Sequence, residues 1–345
     1  METINPQTND WGILGHEWAV QLLREHIRRG SLRHAYLFSG PQGIGRRTLA
    51  LRFTQALNCS QPPAPGEPCR ACRICKQIER MQHPDLAVVQ AERMGETLRV
   101  EQIRDLLHSL ALTPYEARYR VALLLRFEEA HPSAANALLK TLEEPPPRVV
   151  LIVTAESAES VMPTVVSRCE VLRLRPLPYE VVSAGLQSGW GLADEQATLL
   201  AHLSGGRPGY ALRLHQQPDI LAQRQTWLDD HRRLLEANRV ERFAYADKLT
   251  KVKERADKGQ MRENLRALLE TWLSLWRDVL LRAADSNATL ANLDCQAEIE
   301  TLAARVGLDN ACRVVDALQR TFDLLDRNVN AQLMMEVLLL DLPHG

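Results

Sequence analysis

The chain has 345 residues, 45% of them hydrophobic and 25% charged, and 42 basic against 43 acidic side chains leave a formal net charge of −1. These proportions fit a folded globular protein of two or three domains, at about 100–200 residues each, and exclude a disordered, collagenous or disulfide-miniprotein description of the whole. Balanced charge supplies no global basic field, so any contact with nucleic acid has to come from a local patch.

Residues 1–10 carry neither a basic n-region nor an apolar h-region, so no secretory leader is expected. Helical periodicity begins at Glu17–Arg29, and a short apolar run, Ala35–Phe38, reads as a strand leading into Gly40–Gly45. Thr48–Leu57 reads as a helix, Ser60–Pro68 as a loop, Leu86–Val89 as a strand and Val100–Leu110 as an amphipathic helix. Val121–Leu125 is apolar without alternation, the pattern of a strand buried on both faces, and Val149–Thr154 and Val171–Leu174, the latter interrupted by Arg173, read as two more buried strands. Between the first two, Ser133 is the expected N-cap of a helix Ala134–Glu143 that stops before Pro145-Pro146-Pro147. Alternation of strand and helix predicts a parallel, doubly wound α/β sheet. Beyond Pro176–Pro178 the pattern is helical: Glu180–Leu186 and Asp194–His202, a Gly205–Gly209 interruption, then Leu221–Leu235, Val240–Leu249, Gln260–Ala283, Glu298–Arg305, Asp309–Leu325 and Val329–Asp341. Trp272 and Trp276, four apart, are expected to pack in a core. The longest apolar runs, such as Val149–Val153, fall far short of the ~20 residues a bilayer span needs, so a cytoplasmic protein without membrane contact is expected.

The segment Gly40-Pro41-Gln42-Gly43-Ile44-Gly45-Arg46-Arg47-Thr48 has the glycine spacing and strand-to-helix context of a phosphate loop. Such a loop also needs a Lys for the β- and γ-phosphates and a hydroxyl for Mg²⁺. Arg46 stands at the Lys position, Arg47 at the hydroxyl position, and Thr48 one residue too late. Arg is bulkier and forked, and does not replace Lys conservatively there. The strand Val121–Leu125 is followed by Arg126 and Phe127, with Glu128 and Glu129 displaced from where an ATPase holds its Mg²⁺. ATP hydrolysis is therefore not expected of this chain. Binding without hydrolysis stays open.

Cys59, Cys69, Cys72 and Cys75 cluster, while Cys169, Cys295 and Cys312 stand apart. Four thiolates with Cys-x2-Cys spacing suit a closed tetrahedral Zn²⁺ site of structural type. An iron–sulfur cluster or four reduced cysteines packed together are the alternatives, although the spacing is not that of the usual ferredoxin run.

Ile13-Leu14-Gly15-His16-Glu17 and His34-Ala35-Tyr36-Leu37-Phe38-Ser39-Gly40 resemble the start of a bacterial clamp-loader subunit, and the string from Asn136 to Pro146 is similar to that family's most specific motif. Ser167-Arg168-Cys169 resembles its Ser-Arg-Cys motif, and the four cysteines resemble its zinc module. Together these span Ile13–Arg175. Lacking the Lys-Thr loop and the Asp-Glu pair of the motor (tau/gamma) type, the chain is more similar to the delta-prime type. In Gly206-Arg207-Pro208-Gly209-Tyr210-Ala211-Leu212, which resembles the motor's sensor segment, the arginine position holds Gly209 and Arg207 is out of register.

The resemblance implies an AAA+ RecA-like P-loop α/β core over 1–176 with its zinc module at 59–75, a small helical lid over 177–215, and an all-α collar domain over 216–345. It implies a hetero-oligomer with tau/gamma and delta that places the sliding clamp on primer–template DNA. Arg168, flanked by Ser167 and Cys169, would be an arginine finger supplied in trans to the neighbour's ATP site. The basic residues Arg46, Arg47, Arg99 and Arg104 are expected to be solvated surface charges. An active or nucleotide-binding clamp-loader ATPase and a zinc-dependent DNA-binding module are the competing functions.

Overall fold

The computed structural model describes residues 11–92, 96–251, 258–327 and 329–343. Residues 1–10, where no leader is expected, lie outside them. The chain divides into two compact units: one runs through Ala201 and adds Gly206–Ala211, and the other comprises His202–Gly205 and the chain from Leu212 onward.

In the first unit β1 (Ala35–Ser39), β2 (Leu86–Val89), β3 (Arg120–Leu124), β4 (Val149–Ala155) and β5 (Glu170–Arg173) form a parallel sheet in the order β2-β3-β4-β1-β5. Side chains alternate across a strand, and the two faces bury different helices. Tyr36 and Phe38 join one apolar cluster with Ala19, Val20 and Leu23 of α1 (Glu17–Arg28) and Phe53 of α2 (Arg46–Asn58). Ala35 and Leu37 join the opposite one with Ile103 and Leu106 of α4 (Val100–Leu110) and Leu138 of α5 (Pro132–Glu143). With both faces covered, β4 is buried along its whole length, which is why it reads as an unbroken apolar run. This sheet order, with a glycine loop between β1 and α2, is that of a RecA-like AAA+ core.

Some expectations need correction. The N-cap of α5 is His131, whose ring Nδ1 accepts the Ser133 N–H at 3.2 Å. Pro132 at the first helical position already has helical φ and needs no donor there, so the helix starts two residues earlier than expected. Likewise α2 starts at Arg46, not Thr48, and so draws both arginines into its first turn. Two short helices, α3 (Arg73–Glu79) and α6 (Pro163–Val166), give no readable periodicity in the sequence.

The chain then continues through α7 (Tyr179–Trp190), α8 (Asp194–Leu203), α9 (Pro208–Gln216), α10 (Pro218–Glu236), α11 (Arg239–Thr250), α12 (Lys258–Ala283), α13 (Gln296–Asp326) and α14 (Ala331–Asp341). The expected break between 305 and 309 is present within α13, at Gly307 with φ 73°. The second unit has its own core. Trp272 and Trp276 are fully buried in it, and Trp276 Nε1 donates to His231 Nε2 at 2.8 Å. Among the described residues no helix is long and apolar enough to cross a membrane.

Candidate functional site

The glycine loop leaves the C-terminal end of β1, the edge at which open α/β sheets bind ligands. Gly40 N–H donates to Ala155 O and Glu156 O, both at 3.1 Å, tying the loop to the end of β4. Arg46 points inward: its Nη1 is buried and has no hydrogen-bond partner, so it is not the solvated charge expected of it. Burial lowers its pKa, against the pull of Glu128 and then Glu156. Burial in turn raises the pKa of Glu128. Arg47, Arg99 and Arg104 are exposed, as expected.

After β3, Arg126 takes a left-handed backbone conformation (φ 51°), and its N–H donates to Thr154 Oγ1 at 3.1 Å. Its side chain turns to Glu129 at 3.0 Å and to Ala91 O at 3.3 Å. In sequence Arg126 stands where an ATPase has its Mg²⁺-holding carboxylate, and its guanidinium is engaged by Glu129 and the Ala91 carbonyl.

The chain returns to the loop through Gly206–Ala211. Gly209 N–H donates to Gly43 O at 2.8 Å, and Arg207 Nη1 reaches Gln42 O at 3.4 Å. The Arg207 guanidinium lies 4.5 Å from the centre of the Tyr210 ring. A Cβ on Gly43 would lie 2.7 Å from Tyr210 Cβ, so the two backbones touch without space between them. Arg207, out of register in sequence, is the arginine that reaches the loop, and it binds a backbone carbonyl there. Neither that contact nor the acids around Arg46 was visible in the sequence, because each joins segments far apart in the chain.

The four clustered cysteines converge, their Sγ atoms all within 4.8 Å of one another. A metal–sulfur bond of ~2.3 Å puts the edges of a closed tetrahedron at about 3.8 Å; Cys59 Sγ and Cys72 Sγ are 4.0 Å apart. Backbone N–H groups point at the sulfurs: Cys69 N–H at Cys59 (3.4 Å), Cys72 N–H at Cys69 (3.3 Å) and Cys75 N–H at Cys72 (3.5 Å). Such donors favour thiolates. Cys72, the N-cap of α3, titrates at about 6, burial being overridden by the Ser60 hydroxyl and the Cys75 N–H. Burial pushes Cys75 the other way. The donor set and its geometry suit a metal ion and are compatible with zinc.

Arg168 lies one residue beyond the C-cap of α6. That helix is short, but Pro163 presets its first turn and Val165 anchors it in the core, fully buried. Arg168 Nη1 donates to Thr164 O at 2.8 Å, and Nη2 donates to Glu143 Oε1 at 2.5 Å. Its side chain keeps 33% of its accessibility. Cys169 beside it is held as a thiol, its pKa pushed up to about 12 by burial. Glu143, the last residue of α5, belongs to the motif string singled out in the sequence, but its partnership with Arg168 could not be read there.

Residues 15–178 match the family described as DNA polymerase III, delta subunit, and residues 259–344 match DNA polymerase III, delta subunit, C terminal. These matches place the chain among the clamp-loader subunits of bacterial DNA polymerase III. Within that class it belongs to the delta-prime family. The DNA polymerase III subunit delta' of Pseudomonas aeruginosa is 36% identical over 223 residues, 64% of this chain and 67% of that one. That of Bacillus subtilis is 28% identical over 329 residues, 94% and 95% of the two chains. In structure, a DNA polymerase III gamma subunit-related protein from Thermotoga maritima is similar over 93% of this chain and 97% of its own, with a TM-score of 0.47 at 16% identity. The family that the motifs resemble is the family to which the chain belongs.

Proposed function

We propose that this protein is a non-hydrolysing AAA+ subunit of a clamp loader, which completes a neighbour's ATP site while leaving its own unused. The observation that carries this is the glycine loop. Gly209 and Tyr210 pack directly on Gly43, Arg46 replaces the lysine, and Arg126 stands in place of the acid. ATP bound here would meet a loop already held by Gly209 and would lack a metal-holding carboxylate.

Arg168 serves the neighbouring subunit. A half-buried guanidinium just beyond a short, core-anchored helix can approach a γ-phosphoryl group across a subunit boundary, and such fingers are worth ~10³–10⁵ in rate in the best-studied systems. Ser167 and Cys169 shape the turn that presents it. The neighbour would be a tau/gamma motor; delta, the sliding clamp and primer–template DNA complete the assembly. In this scheme residues 1–176 form the core, 177–215 the lid and 216–345 the oligomerising collar. Zn²⁺ on Cys59, Cys69, Cys72 and Cys75 is structural, since all four positions are protein thiolates. The site of action is the cytoplasm.

The test is clamp-dependent ATP hydrolysis by a loader reconstituted with motor, delta, clamp and primed DNA. Arg168→Ala should lower the rate by about tenfold or more while assembly by size-exclusion chromatography is unchanged. The isolated chain should neither turn over nor bind Mg-ATP at micromolar concentration. Turnover by the isolated chain, together with no effect of Arg168→Ala, would make it an active ATPase instead.

A further inference from the structure

Arg168 is held inside its own subunit from two sides: Nη1 donates to Thr164 O at 2.8 Å, with Ser167 Oγ also in reach at 3.4 Å, and Nη2 donates to Glu143 Oε1 at 2.5 Å. The first anchor is a carbonyl of the short helix that carries it. The second comes from α5, an element packed separately into the same core. Two anchors on different elements define the plane of a guanidinium, where either one alone would let it swing about the remaining bond. Of its five N–H donors, two stay available. The carboxylate sits beside the guanidinium with 52% of its side chain exposed, so it is not part of the core that holds the fold.

We infer that Glu143 is a positioning residue for the finger: with Thr164 O it fixes the Arg168 guanidinium in the orientation that meets the neighbour's γ-phosphoryl group. This rests on the assignment of Arg168 as a finger. Long arginine side chains lose their rotamer freedom when they bind, and a clamp made in advance removes that loss from the reaction step. The carboxylate also lowers the net positive charge that the phosphoryl group meets, so its value lies in orientation, not in charge. It should therefore act on turnover and not on ATP affinity, because the bound nucleotide is held by the neighbour's own loop.

The experiment is a double-mutant cycle in the reconstituted loader, with kcat and KM for ATP measured for native protein, Glu143→Ala, Glu143→Gln, Arg168→Ala and the double variant Glu143→Ala with Arg168→Ala. Glu143→Ala should lower kcat by about tenfold, the order expected for a misoriented catalytic group, with KM unchanged within about twofold. Glu143→Gln, whose carbonyl oxygen can still accept from Nη2, should recover most of that loss. The double variant should be no slower than Arg168→Ala alone. An equal fractional loss from Glu143→Ala in both backgrounds would overturn the inference, since Glu143 would then act independently of the finger. A rise in kcat would also overturn it, by making Glu143 a restraint. If Arg168→Ala itself leaves kcat unchanged, the finger assignment fails first and this inference falls with it.

Discussion

Arg242 on α11 is fully buried and spends its guanidinium on backbone carbonyls. Nε donates to Leu234 O at 3.1 Å, Nη1 to Leu339 O at 2.6 Å and Leu342 O at 2.9 Å, and Nη2 to Pro343 O at 3.3 Å. Helices leave their last four carbonyls unpaired. Leu234 lies two residues before the end of α10, and Leu339 lies two before the end of α14. One side chain therefore caps two helices from a third, and it ties the end of the chain to the bundle. Replacing it by Met keeps most of the volume and removes every donor. Three of the four acceptors belong to residues no more than 2% exposed. Orphaning each costs ~1–3 kcal/mol, or roughly 3–9 kcal/mol for the three. Relief from burying a guanidinium returns several kcal/mol; about 3 taken from the ~6 at the middle of that range leaves a net loss of about 3 kcal/mol for Arg242→Met.

Urea unfolding followed by tryptophan fluorescence and by far-ultraviolet circular dichroism would measure it. Tryptophans lie in both units, Trp272 and Trp276 in the helical core and Trp11 in the other, and two probes are needed because a chain of two units need not unfold in one step. Arg242→Lys should be intermediate, since a point charge cannot span acceptors set around a planar fork. An unchanged midpoint for Arg242→Met would refute the reasoning, because it would mean that the carbonyls are rehydrated at no cost. If the collar assignment is right, the same variant should also weaken incorporation into the loader.

Two further outcomes follow from buried groups. Purified without added metal, the protein should carry one Zn²⁺ per chain by elemental analysis, and Cys72→Ser should abolish that signal; a metal-free native protein would remove zinc from the account. His231 accepts from Trp276 and is held neutral, its pKa pushed down to about 3 by burial and then by Arg232. A free histidine titrates near 6.5, so the unfolded chain takes up the proton first as pH falls. The contribution of this group is intact above about pH 6.5 and is lost progressively from there down to about 3, with a slope of up to ~1.4 kcal/mol per pH unit. His231→Gln should flatten that part of the stability–pH curve, and an identical slope in both proteins would show that His231 is protonated without unfolding.

The central strands β3 and β4 were legible because, buried on both faces, they leave no polar alternation. The burial expected of β5 holds only at Leu172, since β5 lies at the edge of the sheet and Arg173 is exposed, while helix α4 was expected at its observed ends. The thiolate cluster was legible because its ligands are local in sequence. Legibility failed where a short element takes its stability from elsewhere. Four-residue α6 has no periodicity of its own and is held by Pro163 and Val165. The start of α5 depends on a histidine ring accepting a backbone N–H, which is not the residue type that N-cap preferences point to. Contacts such as Glu143 with Arg168, or Arg207 with Gln42, bring together residues 25 and 165 apart, and no local rule encodes them.

The glycines of the loop have a structural reason that does not depend on a bound nucleotide. Gly40 has φ 151°, and a Cβ there would lie 2.5 Å from Leu174 O. Gly43 has φ 82° and is pressed against Tyr210. In both cases a side chain would strike backbone of the same unit, so these glycines are required by the protein's own packing whether or not a phosphate ever enters. Lys and the metal-holding hydroxyl have no such second duty. In a phosphate loop they face the ligand, and no packing contact of this kind demands them. On the proposed reading, that asymmetry accounts for a loop that has Gly40 and Gly43 but carries Arg46 and Arg47 where a phosphate loop has its Lys and hydroxyl.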